Sequence, residues 1–325
     1  MSRRIFGFVF AAAILAFVQL AEAQQLARIP TIAILEPGSA SAPGLGGVDA
    51  FRQRLRELGY IEGQTVRFQY RYADYKLDRL SSLAAELVQL KPDVIFTHAD
   101  SGALAAKRAT TTIPIVVGVA PDLVGDGIVA SLARPGGNVT GMTLLHPELD
   151  QKRLEMLKET APKTTRVAFL AVSTSSRYLQ PLESAARAVK VQLQVAEVHD
   201  PGDIESAFAM IIKGGVNAVL VQDIPPLARY PDQVASLAVK HRLPSISQSP
   251  RFAEAGGLLQ YGADVLEMFR RSATLVDKIL KGAKPADLPV EQPMKFEFVI
   301  NLKAAKQIGL TIPPNVLARA DKVIK

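Results

Sequence analysis

Thr31-Ile32-Ala33-Ile34-Leu35, closed by Pro30 on one side and Pro37 on the other, is the run on which the fold turns. A continuous aliphatic run this short, bounded by prolines, reads as a strand buried on both faces. Working outward, residues 48–58 carry Phe51, Leu55 and Leu58 at helical spacing and stop at Gly59. Residues 66–72 alternate as a strand does. Asp78 then stands as the expected cap of a helix with Leu80, Leu83, Ala84, Leu87 and Val88 on one face. Asp93-Val94-Ile95-Phe96 is the next strand and Pro114-Ile115-Val116-Val117 the one after. Strand and helix in alternation give an α/β fold, a parallel sheet covered on both faces by helices.

The same order recurs in the second half. Arg166-Val167-Ala168-Phe169-Leu170 echoes the first strand and residues 193–198 the second. Asp203 is placed to cap a helix carrying Ile204, Ala207, Phe208, Ile211 and Ile212, and Asn217-Ala218-Val219-Leu220-Val221 follows it. Both halves then run through a helix into a strand led by proline, at Pro114 and Pro244. Four elements in the same order at nearly equal spacing predict two homologous, doubly wound lobes.

The lobes are expected to interleave. Arg134-Pro135-Gly136-Gly137-Asn138-Val139-Thr140-Gly141 is a turn-rich passage between them. Gly256-Gly257-Leu258-Leu259-Gln260-Tyr261-Gly262 reads as a second crossing strand, followed by a long helix over 265–280. The proline-rich 282–293 and the alternating 295–300 suggest a third crossing. The expected division is a leader over 1–23, one lobe over 28–139 plus 258–289, and another over 140–257 plus 290–325. Three strands joining two lobes imply a hinge with a cleft that closes on a ligand.

Composition narrows the chemistry. The chain has 325 residues and no cysteine, which excludes a disulfide scaffold, a thiol nucleophile, a cysteine zinc site and a lipid-bearing amino-terminal cysteine. The formal charge of +7 is dispersed, with no basic stripe or aromatic platform for nucleic acid. Ser2-Arg3-Arg4, an apolar stretch to Leu20 and Ala21-Glu22-Ala23 follow the charged, apolar and small-residue order of a secretory signal. Cleavage is expected after Ala23, leaving a periplasmic protein that is not lipid-anchored. Ser2-Arg3-Arg4-Ile5-Phe6 half-matches a twin-arginine signal, so either export route remains open.

Several longer strings resemble the type I periplasmic substrate-binding proteins of ABC importers, in the tryptophan/tyrosine-type subgroup. They include Phe51-Arg52-Gln53-Arg54-Leu55-Arg56-Glu57-Leu58-Gly59-Tyr60 and Leu132-Ala133-Arg134-Pro135-Gly136-Gly137-Asn138-Val139-Thr140-Gly141. Asp277-Lys278-Ile279-Leu280-Lys281-Gly282, the strand-like 295–303 and Gly309-Leu310-Thr311-Ile312-Pro313-Pro314 extend the resemblance over essentially the whole chain after residue 28. It implies a monomeric solute receptor without cofactor or catalysis. Such a receptor would bind an amino acid or related small acid and deliver it to an ABC permease in the inner membrane. Two departures fall where ligands would sit: His98-Ala99-Asp100-Ser101 replaces a Gly-Gly-Thr-Pro-like turn, and Ser173-Thr174-Ser175-Ser176 an Asn-Pro-Ala-Asn-Pro-like stretch.

Doubly wound sheets bind ligands at the carboxyl ends of the strands flanking the switch in strand order. That places the site on loops 36–44, 97–101, 172–178 and 222–226. Ser39 and Ser41 offer hydroxyls and backbone amides near a helix start, or ordinary turn chemistry. Asp100, with Ser101 beside it, reads either as a helix cap or as the partner of a ligand ammonium. Asp223 has the equivalent position in the second lobe. Ser173, Thr174 and Ser175 are candidate donors on the opposite wall, Tyr178 a candidate stacking surface, and Gln260 an amide on the second crossing that could reach the ligand.

Catalysis finds little support. His98, His146, His199 and His241 are dispersed without metal-site spacing, and there is no Gly-x-Ser-x-Gly elbow. Gly44, Gly46 and Gly47 come too late after Leu35 for a dinucleotide loop. The leading reading is a periplasmic receptor for a small organic ligand. An exported α/β hydrolase and a ligand sensor docking on a membrane receptor are the alternatives on the same fold.

Overall fold

Each aliphatic run identified above is a strand in the computed structural model, which describes residues 29–40, 46–144, 146–172, 176–222 and 227–325. The expected leader, 1–23, lies outside the described residues. In chain order the first elements are β1 (Thr31–Glu36), α1 (Gly47–Glu57), β2 (Arg67–Tyr72), α2 (Leu80–Gln89), β3 (Val94–Thr97), α3 (Ala99–Ala109), β4 (Ile115–Ala120) and β5 (Val139–Thr143). The same alternation continues with α4 (His146–Thr160), β6 (Arg166–Ala171), α5 (Ser176–Ala188), β7 (Gln192–Glu197), α6 (Asp203–Lys213), β8 (Ala218–Val221), α7 (Pro231–Lys240), β9 (Ser245–Ser247) and α8 (Pro250–Glu254). The last elements are β10 (Leu259–Ala263), α9 (Val265–Leu280), β11 (Phe296–Asn301), α10 (Leu302–Ile308), α11 (Pro314–Leu317) and β12 (Lys322–Ile324). No helix among the described residues is long and apolar enough to cross a membrane.

The chain divides into two units. The first comprises Met1–Gly118, Gly127–Gly141 and Phe269–Val290 and the second Val119–Asp126, Met142–Met268 and Glu291–Lys325. A five-stranded sheet, in the order β2-β1-β3-β4-β5, belongs mainly to the first. Its β1 is parallel to both β2 and β3, and β3 to β4. At its heart Phe51 of α1 stacks on Phe96 of β3 with ring centroids 3.8 Å apart, and Phe269 of α9 tilts against Phe96 from α9.

A seven-stranded sheet, in the order β12-β11-β10-β9-β8-β6-β7, forms the second unit. The period-two rule of a strand is visible in its two hydrophobic clusters. Val167, Phe169 and Ala171 of β6 join Ala218 and Leu220 of β8 on one face. The intervening Ala168 and Leu170 join Val219 and Val221 on the other. Both faces are therefore covered, which is why these strands are uninterrupted apolar runs and not alternating ones.

Two expectations are corrected by this topology. The strand around Gln260 does not cross between units: β10 lies inside the second, parallel to β9 and antiparallel to β11. The passage from one unit to the other falls instead within α9, between Met268 and Phe269, so a helix and not a strand makes that connection. Glycines in and beside this strand allow close packing. A Cβ on Gly257 would lie 2.1 Å from the Phe252 ring, and one on Gly262 would lie 2.2 Å from the Gln248 carbonyl oxygen. β11 likewise belongs wholly to the second unit.

The two expected aspartate caps also work differently. A 3-10 turn over Leu77–Arg79 runs straight into α2, so the cap position falls to Arg79, whose side chain makes no capping hydrogen bond. Asp203 is the first residue of α6, and its carboxylate accepts the amides of His199 and Asp200 at 3.0 and 2.9 Å. It closes the preceding turn and leaves the helix's own amides alone.

Candidate functional site

In the first unit the strand order reverses between β1 and β3, the place where an open α/β sheet leaves room for a ligand at its carboxyl edge. The parallel register pairs Leu35 with Thr97, so the next residue on each strand, Glu36 and His98, stand side by side. Their side chains meet, with His98 Nε2 2.5 Å from Glu36 Oε1. The Gly38 amide donates to the same oxygen at 3.0 Å. Burial raises the Glu36 pKa, but the His98 hydrogen bond and charge and the Gly38 amide outweigh it and hold the carboxyl below its ordinary value of 4.5. Thr97, fully buried, donates its hydroxyl to the Leu35 carbonyl at 2.8 Å and locks the two strand ends together. The His98 ring meets the edge of Phe269, centroids 5.8 Å apart.

The loop after β2 folds back over this edge. The amides of Ala73, Asp74 and Tyr75 donate to the carbonyls of Glu36, Gly38 and Pro37, each at 2.9 Å. To do so Asp74 and Tyr75 adopt φ of 52° and 63°, two successive left-handed residues without glycine. Ser39, half-buried, hydrogen-bonds the Asp74 carboxylate and, with Arg79 at 3.0 Å, lowers its pKa. A Cβ on Gly38 would stand 3.1 Å from Glu36 Oε1 and 3.6 Å from the Tyr75 ring, so Tyr75 flanks the same spot.

Asp100 and Ser101 sit in the first turn of α3, both half-buried. Asp100 Oδ1 accepts the Ser101 amide at 2.8 Å. The residue at the cap position is His98, with extended backbone and no side-chain cap, and Ala99 follows at φ 60°. Asp100 thus lies inside the first turn of α3, and the carboxylate most deeply set in this edge is Glu36, 6% exposed.

The second unit reverses its strand order between β6 and β8. Gln222, buried just past β8, accepts the Val172 amide at 2.9 Å and donates its own backbone amide to Leu170 at 3.0 Å, tying the two strand ends together. Ser173, Thr174, Ser175 and Asp223 lie outside the described residues, as does Ser41 in the first unit. Tyr178 is on α5. Gln260 is 1% exposed, and its Nε2 donates to the Gln248 carbonyl at 3.1 Å. Its Oε1 has no hydrogen-bond partner among the described residues. Beneath it Arg153 of α4, also 1% exposed, donates to the Tyr261 carbonyl at 2.8 Å and to Gln248 Oε1 at 3.0 Å, and pairs with buried Asp150.

Glu36, Gln222 and Arg153 were not singled out in the sequence. Glu36 carried a readable signal, a carboxylate directly ending an aliphatic strand. Gln222 answers an amide 50 residues away, and Arg153, besides Asp150, answers groups 95 and 108 residues away. Among the described residues no group of three or more His, Asp or Glu is placed to hold a metal ion.

A low native pKa makes Glu36 a source of pH dependence. The unfolded chain binds the Glu36 proton more readily, so its contribution to stability is present above about pH 4.5 and lost as pH falls through the lower native value. Glu36→Gln is expected to flatten the rise of the urea midpoint between pH 3 and 5. Parallel curves for variant and wild type would contradict this assignment.

Comparison with known proteins places the chain among receptors. The profile described as "ABC transporter substrate binding protein" matches residues 32–324. The "Tyrosine-binding protein" of Clostridioides difficile (strain R20291) is 24% identical over 263 residues, 80% of this chain and 75% of the relative. A conserved domain protein from Vibrio cholerae aligns with a TM-score of 0.81 at 27% identity, over 91% of this chain and 100% of the other. A Streptococcus pneumoniae ABC domain in complex with L-Trp aligns with a TM-score of 0.81 at 26% identity and the same two shares. The leucine-binding protein LivK from Thermotoga maritima shares the fold, with a TM-score of 0.56 at 16% identity, over 80% of this chain and 78% of the other.

Proposed function

Because the chain belongs to the family of ABC transporter substrate-binding proteins, we propose that it captures an amino acid or a related small organic acid and delivers it to an ABC permease. The family match over nearly the whole described chain carries this reading. The relatives whose names state a ligand, tyrosine in one and L-Trp in another, support the ligand class. The ligand site is proposed on the carboxyl edges of the two sheets, with Ser39, Asp100 and Ser101 in the first unit and Gln260 in the second. The buried and unanswered Oε1 of Gln260 favours a ligand that carries a hydrogen-bond donor. Export to the periplasm, with cleavage after Ala23, completes the reading.

The test is a melting-temperature screen of ligand-stripped protein against the common L-amino acids and small organic acids. A ligand that binds only the native state, at a hundred times its dissociation constant, adds about 2.7 kcal/mol and raises the melting temperature by about 5–10 °C. A panel without any such shift, together with turnover of esters or amides by the same preparation, would replace the receptor with the hydrolase.

A further inference from the structure

Glu36 is a carboxylate in a place where a lone negative charge is expensive. Its side chain is 8% exposed at the carboxyl end of a central strand. A carboxylate taken out of water must be compensated by opposite charge and hydrogen bonds, or it takes up a proton instead. Around it the surroundings offer little positive charge. From β2 comes the Tyr72 phenol, whose pKa burial raises and the Glu36 charge raises further. From the loop after β2 come Tyr75 and the exposed Asp74, the latter engaged with Ser39 and Arg79. From α9 comes the apolar ring of Phe269, edge-on to His98. The one cationic partner of Glu36 among the described residues is His98, with a side chain 26% exposed.

His98 meets the carboxylate through a single ring nitrogen, Nε2 to Oε1. The Glu36–His98 pair has no other cationic side chain in contact with its carboxylate among the described residues. It stands at the switch in strand order, at the edge where this fold receives ligands. His98 fixes the Glu36 carboxylate from β3, the Gly38 amide fixes it from the loop, and buried Thr97 holds the two strand ends in register. Such a carboxylate is already oriented and partly desolvated before a cation arrives, which lowers the cost of binding one.

We infer that Glu36, braced by His98, is the subsite that receives the cationic nitrogen of the ligand, an ammonium or a group of the same chemistry. This rests on the receptor reading above and deepens it. It also moves the ammonium partner expected at Asp100 to the end of β1, where the carboxylate is the more deeply buried of the two. His98 acts as a positioning residue, holding the carboxylate and not touching the ligand.

The test is calorimetric titration of the ligand-stripped full chain with each common L-amino acid and with the matching acid in which hydrogen replaces the α-ammonium. The wild type is expected to bind at least one amino acid about thirtyfold more tightly than its deaminated partner, the scale of one charge-assisted hydrogen bond. Glu36→Gln should lose about thirtyfold for the amino acid and keep its affinity for the deaminated acid, so that the preference collapses. A merely structural role would weaken both together, and that result overturns the inference. So does an unchanged preference in Glu36→Gln. Should that variant not fold, Glu36→Asp keeps the charge and withdraws it by one methylene. It is expected to lose affinity for the amino acid and not for the deaminated acid, and equal losses again overturn the assignment. If the wild type binds deaminated acids as tightly as amino acids, the Glu36 subsite falls and the receptor reading stands. Binding of no member of any pair removes both.

Discussion

Arg153→Met is expected to cost the second unit about 3–5 kcal/mol, because it strips a buried carboxylate of its partner. Asp150 and Arg153 are 4% and 1% exposed, and they pair one helical turn apart on α4. The guanidinium also satisfies the Tyr261 carbonyl and the Gln248 side chain. Methionine fills a similar volume, so the loss comes from polar groups left unanswered and not from a cavity. Most of it should return in the double variant Asp150→Leu/Arg153→Met, in which no buried charge remains, since apolar replacements of buried ion pairs are often neutral. Urea denaturation of the two single variants and the double settles this. A single-variant loss below about 1 kcal/mol would mean that water reaches the pair.

Gly141→Ala is expected to be nearly as damaging, by about 3 kcal/mol or more, since two independent penalties meet there. The residue has φ 150°, and a Cβ on it would lie 2.2 Å from the Val117 carbonyl oxygen and 2.7 Å from the Val117 amide nitrogen. Both neighbours are backbone of the adjacent strand and cannot rotate away. Gly137, in the same turn-rich passage, has nothing within 4 Å of a Cβ and no left-handed φ. Gly137→Ala should therefore leave the melting temperature within a degree or two. If the two alanine variants melt alike, the close approach of β4 and β5 at Val117 is misplaced.

That passage also shows what a sequence makes visible. Its composition of proline, glycine and asparagine marked a turn, and the turn is there. Its individual duties were not legible, because each is owed to a distant partner. The Asn138 side chain donates to the carbonyls of Thr110 and Ile113 at 3.0 and 2.8 Å, and the Thr140 hydroxyl donates to that of Leu288 at 2.8 Å. The strands and helices, in contrast, were legible from periodicity, since a strand buried on both faces must be apolar at every position. β10 was expected to cross between units, but it is a strand of one continuous sheet, between β9 and β11. Local composition could not separate the two.

The same division runs through the candidate site. Asp100 attracted notice because it follows a strand and precedes a helix, a local pattern. Glu36 and His98 are 62 residues apart, and only the register of β1 against β3 brings them together. Once Leu35 is known to lie beside Thr97 the pair follows from counting one residue further on each strand. Sheet order, and not residue type, was the missing information.

Phe269 sets a timetable for this molecule. Its ring lies against Phe96 and His98, and so close to Gly47 and Gly118 that a Cβ on either would come within 3.0 Å of it. Part of the packing at this edge of the first unit is thus supplied by a residue synthesised about 170 positions after the strand it covers, and the unit's last segment ends only at Val290. A ribosome that has made β1 to β5 has not yet made the piece that closes their core. Until almost the whole chain has emerged, the first unit lacks this packing partner. Completion of the first unit's core is deferred to nearly the end of synthesis.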